Sequence, residues 1–311
     1  MRIAWLSICM FLAFCGSTAI AGEAEMKDLI ESALRSKGEE YIALRDRIVA
    51  RGGAAVAELG RRRTQATDWR ERLLVDVIVE RVEKGEAIRQ AIKGELPSVY
   101  SRRSGDQIQM SGKAWAERFE EFPLVLVEFV WKGNELSRRR PRGALFWEYP
   151  YAIAALGILK EPRAMPVLLE LLESYDEAEH RPDPMYAIFY AIEQYPPSEP
   201  FLRELIRIAE AAGELMKSAE TEEQWRKPFR VRRSAWQLIW NCASVEMAAF
   251  LMERAKSARD EYLRAYLSRI AWLSEEFGEI RKDYFLWDSL PADTRPRNRK
   301  PAQDTEKPEA Q

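Results

Sequence analysis

Residues 151–172 read YAIAALGILKEPRAMPVLLELL, and the same alternation of apolar and polar positions returns without a gap at 234–255, SAWQLIWNCASVEMAAFLMERA. Ala152 matches Ala235, Leu156 matches Ile239, Val167 matches Phe250, Leu168 matches Leu251 and Glu170 matches Glu253. An imperfect third copy at 186–206 lies between them, continuing into a stripe of Phe201, Leu205 and Ile208. Each copy reads as an apolar helix, a short break and a second, amphipathic helix. Such a unit buries its apolar faces only by stacking on its neighbours. The repeat therefore predicts an all-α chain, a right-handed α-α superhelix of stacked helix pairs. Pro162 and Pro197 fall at the breaks, where a fixed φ and a missing N–H suit the first turn of a new helix.

A weaker relative of the repeat runs from 47 to 82. Gly52-Gly53 can end one helix in a left-handed conformation, and Asp68 can cap a later one. The Leu-Gly and Glu-Pro-Arg-Ala…Pro-Val-Leu-Leu-Glu-Leu-Leu of 156–172, the Val-Arg-Arg-Ser-Ala of 231–235 and the Gly-Gly-Ala-Ala-Val of 52–56 together resemble HEAT-like repeats. The phycobilisome-lyase-type proteins are among the families of that kind. The resemblance covers about half the chain, and the copies are degenerate and irregularly spaced. It implies a HEAT/armadillo-like solenoid that presents an extended surface to a partner.

The periods place helices near 24–35, 39–51, 53–63, 68–83, 86–92, 112–121, 123–132, 144–158, 162–174, 184–195, 199–217, 222–241, 244–256, 259–276 and 279–286, with Ser244 expected as a cap. Residues 94–111, with Gly, Pro and four Ser, read as an irregular connector between N-terminal repeats at 22–93 and a main array at 112–288. The Pro-rich stretch 289–311 reads as a disordered tail.

Residues 1–21 read as a secretory signal peptide: Arg2, an uncharged run from Ile3 to Phe14, then Ala19-Ile20-Ala21. Cleavage would leave Gly22 first in an exported, periplasmic or secreted protein without a membrane span. An uncleaved anchor and a lipid on Cys15 are the competing readings. Losing Arg2 takes the formal charge from −2 to −3, which offers no bulk attraction to nucleic acid. Of three cysteines, only Cys242 then remains. It sits in an apolar run and is expected to be buried and unpaired.

His180 is the single histidine, so no multi-histidine metal site can be built, and neither metal nor cofactor is expected. Carboxylates such as Glu120, Glu148, Glu275 and Glu276 leave open a carbohydrate-active or carbohydrate-binding α/α toroid using a carboxylate pair. Trp69, Trp236, Trp240 and Trp272 fall on apolar stripes and are expected in the core rather than on sugar rings. The main surface candidate is the loop SRRRPRG at 137–143. There Arg138, Arg139, Arg140 and Arg142 precede Trp147 and Tyr149, and guanidinium groups beside aromatic rings suit a protein partner or an anionic glycan. Arg61, Arg62 and Arg63 end a predicted helix, where they complement its dipole. The reading is an exported, non-catalytic scaffold or protein-binding module.

Overall fold

The computed structural model describes residues 25–93, 96–98, 100–136, 148–174 and 184–277. Among these, every regular element is helical and no strand occurs. The helices are α1 (25–35), α2 (Gly38–Val49), α3 (Gly53–Gln65), α4 (Trp69–Lys93), α5 (Ser104–Phe119), α6 (Leu124–Lys132), α7 (Glu148–Leu159), α8 (Met165–Ser174), α9 (Met185–Glu193), α10 (Glu199–Lys217), α11 (Glu222–Cys242), α12 (Val245–Ser257) and α13 (Glu261–Phe277). None is long and apolar enough to cross a membrane.

The breaks have local causes. Gly52 takes φ 57° before α3, which any side chain would strain. The Glu161 carboxylate accepts the Arg163 N–H at 3.1 Å to start the turn Pro162–Ala164. Asp68 Oδ1 accepts the Arg70 N–H at 3.0 Å, and Thr221 caps α11 through the Gln224 N–H. Ser244 departs from expectation. It precedes α12, but its hydroxyl donates to the Glu246 carboxylate at 2.7 Å, a charge-assisted bond that displaces the backbone cap.

The described residues form two compact units, one of 25–168 with 184–194, the other of 169–174 with 195–277. In the first, α7 packs against α5, α6 and α9. Small residues allow the close approach: a Cβ on Gly112 would stand 2.7 Å from Ala154 Cβ, and one on Gly157 would stand 2.4 Å from Ala191 Cα. Trp115, Phe119 and Tyr151 fill the centre, all fully or almost fully buried. The connector expected over 94–111 is corrected at Ser104. The helix begins there because Ile108, Trp115 and Phe119 form one apolar stripe that overrides the Ser and Gly content. Nor does the chain divide at that connector, since α4 packs on α6 and α2 on α4.

In the second unit, α10 packs along α11 and α12 along α13. The α10–α11 pair thus joins helices of adjacent sequence copies, and α13 lies beyond the last copy. Ala243 and Ser244 are both extended and α12 does not pack along α11, whereas residues 218–221 let α11 fold back on α10. The Trp236 and Tyr266 rings stack at 4.7 Å and tie α11 to α13, and Arg203 of α10 lies 5.4 Å over the Phe250 ring of α12.

Candidate binding face

Arg138, Arg139, Arg140, Arg142 and Trp147 lie outside the described residues, as do His180, the predicted helix 279–286 and the tail. Tyr149 is described. Its hydroxyl donates to the Val130 carbonyl at 3.2 Å, its ring meets Phe129 edge-on at 6.0 Å, and burial pushes its phenol up. Glu120 and Glu275 are exposed and Glu148 is partly so. Trp236, Trp240 and Cys242 are buried as expected, and Trp69 is half-buried beside Trp131. Trp272 is the exception at 51% exposed, one residue outside the stripe of Leu267, Ile270 and Ala271 that α13 buries. Arg62 and Arg63 do more than complement a dipole: Arg62 pairs with Glu71 at 3.1 Å, and Arg63 pairs with Asp76.

Two polar clusters were not anticipated. Glu128 is fully buried and accepts from Tyr41, Arg45, Arg81 and Asn134, while Glu135 accepts from both arginines and Asp46 also accepts from Arg45. Burial raises the Glu135 carboxyl, but Arg81 and Arg45 outweigh it and hold the pKa low. Burial, followed by the Glu128 charge, pushes the Tyr41 phenol well up. The sequence signal is the lone carboxylate in the otherwise apolar run from Leu124 to Trp131. The second cluster surrounds Glu80, whose Oε2 is buried without a hydrogen bond. Burial pushes its carboxyl to about 7 against the opposing pull of Arg163 and Lys84. Nearby, Arg163 pairs with Glu161 at 2.6 Å and reaches Asp76 at 3.7 Å. No group of His, Cys, Asp and Glu suited to a metal ion occurs among the described residues.

An open cavity of about 420 Å³ lies between α10 and α12, lined by Arg207, Glu210, Ala211, Glu214, Arg254, Ser257, Arg259 and Asp260. Arg207 is fixed by Glu173 at 2.7 Å and by Glu204 at 2.8 Å. Asp260 accepts from Arg232 at 2.7 Å and from the Leu263 N–H at 2.9 Å. Burial works against its ionised form, yet these donors and Lys217 hold its pKa low. Desolvation lowers the Arg232 pKa despite Asp260. Much of the wall is thus set in place by ion pairs before anything binds. Apart from Ala211, every lining residue is charged or polar. No protein-family model, curated protein or solved structure matches this chain.

Proposed function

We propose that this chain is an exported, non-catalytic HEAT-like scaffold, a solenoid of stacked helix pairs whose α10–α12 face docks a protein partner outside the cytoplasm. The observation that carries the reading is the solvent-open cavity between the amphipathic helices α10 and α12, with Arg207 and Asp260 already held by ion pairs. A wall fixed in advance spares a partner the ordering cost of binding. The signal-like segment of 1–21 supports the location. The test is a photo-crosslinking side chain at Ala211 in the producing cell, with exposed Gln90 as control. A discrete adduct at 211 and none at 90 is expected. The same adducts at both positions would sink the reading.

A carbohydrate-binding reading draws on Tyr186. Its ring lies against Gly105, where a Cβ would stand 3.0 Å from the ring, and its hydroxyl accepts from Gln109 at 2.6 Å while 44% of the residue stays exposed. A ring held at its hydroxyl end and left open can stack on an apolar face of a ligand. Oligosaccharide binding that quenches intrinsic fluorescence and disappears in Tyr186→Ala would favour this reading.

A further inference from the structure

Glu80 precedes Lys84 by four residues on α4, the spacing that sets two side chains on one helix face. Lys84 itself leaves helical geometry, at φ −117° and ψ 17°, and so breaks the long helix. Its ammonium donates to the Glu121 carbonyl, in the turn between α5 and α6. In the same turn Phe122 donates its N–H to the Phe119 carbonyl at 3.1 Å. One contact therefore ties the break in α4 to the turn that leads into α6.

The other cations around Glu80 are already engaged. Arg163 is held by Glu161 at 2.6 Å and reaches Asp76 at 3.7 Å, Arg63 pairs with the same Asp76, and Arg81 pairs with Glu128 and Glu135. From α2 and α6, Arg45 and Glu128 bind each other and Lys132 donates to the Leu34 and Ser36 carbonyls. The side chains of Glu120 and Glu121 are exposed. Lys84 has no ion pair among the described residues, and the group it holds is a neutral carbonyl. Glu80 Oε2 is buried with no hydrogen bond, a position that suits a protonated carboxyl and penalises a carboxylate left without a cation.

We infer that Lys84 is the moving part of a pH switch: it holds the α5–α6 turn while Glu80 is protonated, and passes to the Glu80 carboxylate when that group ionises, which releases the turn. The proton goes to solvent and Lys84 stays an ammonium throughout. A compact charge on a flexible four-carbon stem can change partners without moving the backbone, whereas the Arg163 guanidinium is fixed by two carboxylates. Glu80 changes charge near neutral pH, because burial outweighs the pull of Arg163 and Lys84 and pushes its carboxyl to about 7.

The experiment follows the purified chain by NMR from about pH 5.5 to about pH 8.5, reading the Glu80 carboxyl carbon, assigned by its loss in Glu80→Gln, together with the Phe122 amide. The carboxyl is expected to titrate near pH 7 and the amide to shift with the same midpoint. Corrected for the intrinsic pH dependence of exchange, protection of the Phe122 amide should fall at least about three-fold across the range. Glu80→Gln should hold that amide at its low-pH position throughout. Lys84→Met keeps the stem and removes the ammonium, so the amide should be poorly protected at both ends of the range while the carboxyl still titrates. Glu40→Gln, at an exposed position of α2, should change nothing. Circular dichroism confirms that each variant folds. A Phe122 amide that does not follow Glu80, or one that still follows it in Lys84→Met, would overturn the inference. A Glu80 carboxyl that titrates below about pH 5, in the ordinary carboxylate range, would overturn it too.

Discussion

Arg45 Nη1 lies 2.9 Å from Glu128 Oε1, across 83 residues of sequence, and both side chains are almost wholly shielded from water, at 1% and 0% exposed. The pair joins α2 to α6. With Arg81 of α4 on the other carboxylate oxygen, one glutamate fastens three helices. Its four donor residues, two of them cations, offset a desolvation cost that an unpaired buried carboxylate could not bear.

Glu128→Gln keeps the shape and removes the charge, leaving Arg81 with Glu135 and Arg45 with Glu135 and Asp46. Breaking a buried pair from one side costs about 3–5 kcal/mol, so urea unfolding should move to a markedly lower midpoint. Adding Arg81→Met should recover part of the loss. A loss below about 1 kcal/mol would mean that Glu135 and Asp46 suffice.

Glu80 should make stability depend on pH in the direction opposite to an ordinary ion pair. Its folded pKa, about 7, stands above the usual 4.5, so the folded chain holds the proton longer than the unfolded one. Stability is then full below about pH 4.5 and is lost as pH rises toward 7. Glu80→Gln stays neutral throughout and should be more stable than the parent by about 1–3 kcal/mol at about pH 8, with little difference at acid pH. Melting curves at the two pH values decide it. A variant less stable at the higher pH would show that Glu80 works as the ionised partner of Arg163.

Three glycines in helices should respond differently to alanine. At Gly157 the new Cβ meets the Ala191 backbone, Cα at 2.4 Å and O at 2.7 Å, so α7 and α9 must part. That overpacking costs about 1–3 kcal/mol. At Gly213 the nearest atom is Arg232 Cζ at 3.3 Å, on a side chain that can shift, so the cost is smaller. At Gly60 nothing lies within 4 Å, and helix propensity alone predicts a gain of about 0.5–1 kcal/mol. Thermal melts that rank the three in any other order would reject this account of the α7–α9 seam.

Local periodicity made the helices legible. Both ends of α10, Glu199 and Lys217, coincide with the sequence expectation because its apolar stripe is continuous and Ser198 and Pro200 mark its start. The break expected after residue 83 survives only as the non-helical Lys84 inside α4, since the apolar positions resume in phase on both sides. The candidate site was less legible for a different reason. The stretches 199–217 and 244–256 could be read as amphipathic helices, but which charges on them are consumed depends on neighbours far away in sequence, as when Glu173 takes Arg207. Arg45 gives no local sign that it will meet Glu128, because nothing in a period of 3.6 residues encodes a contact 83 residues away.

Export can be tested at the N-terminus. Helix α1 starts at residue 25 and buries Met26, Leu29, Ile30 and Ala33. Cleavage after Ala21 removes none of these residues, so the mature chain keeps every one of these core contacts. A signal peptidase needs small side chains at positions 19 and 21 and an extended segment to grip, and Ala19-Ile20-Ala21 meets the first need. Intact-mass measurement of protein recovered from outside the cytoplasm should give a chain beginning at Gly22. A chain begun at Gly22 by design should melt at the same temperature as the natural product, because no buried side chain precedes Met26 among the described residues. Ala19→Arg together with Ala21→Arg should block processing and retain the protein at the membrane. A mass that includes Met1 in the parent protein, or a lipid carried on Cys15, would overturn the export reading in favour of an anchored one.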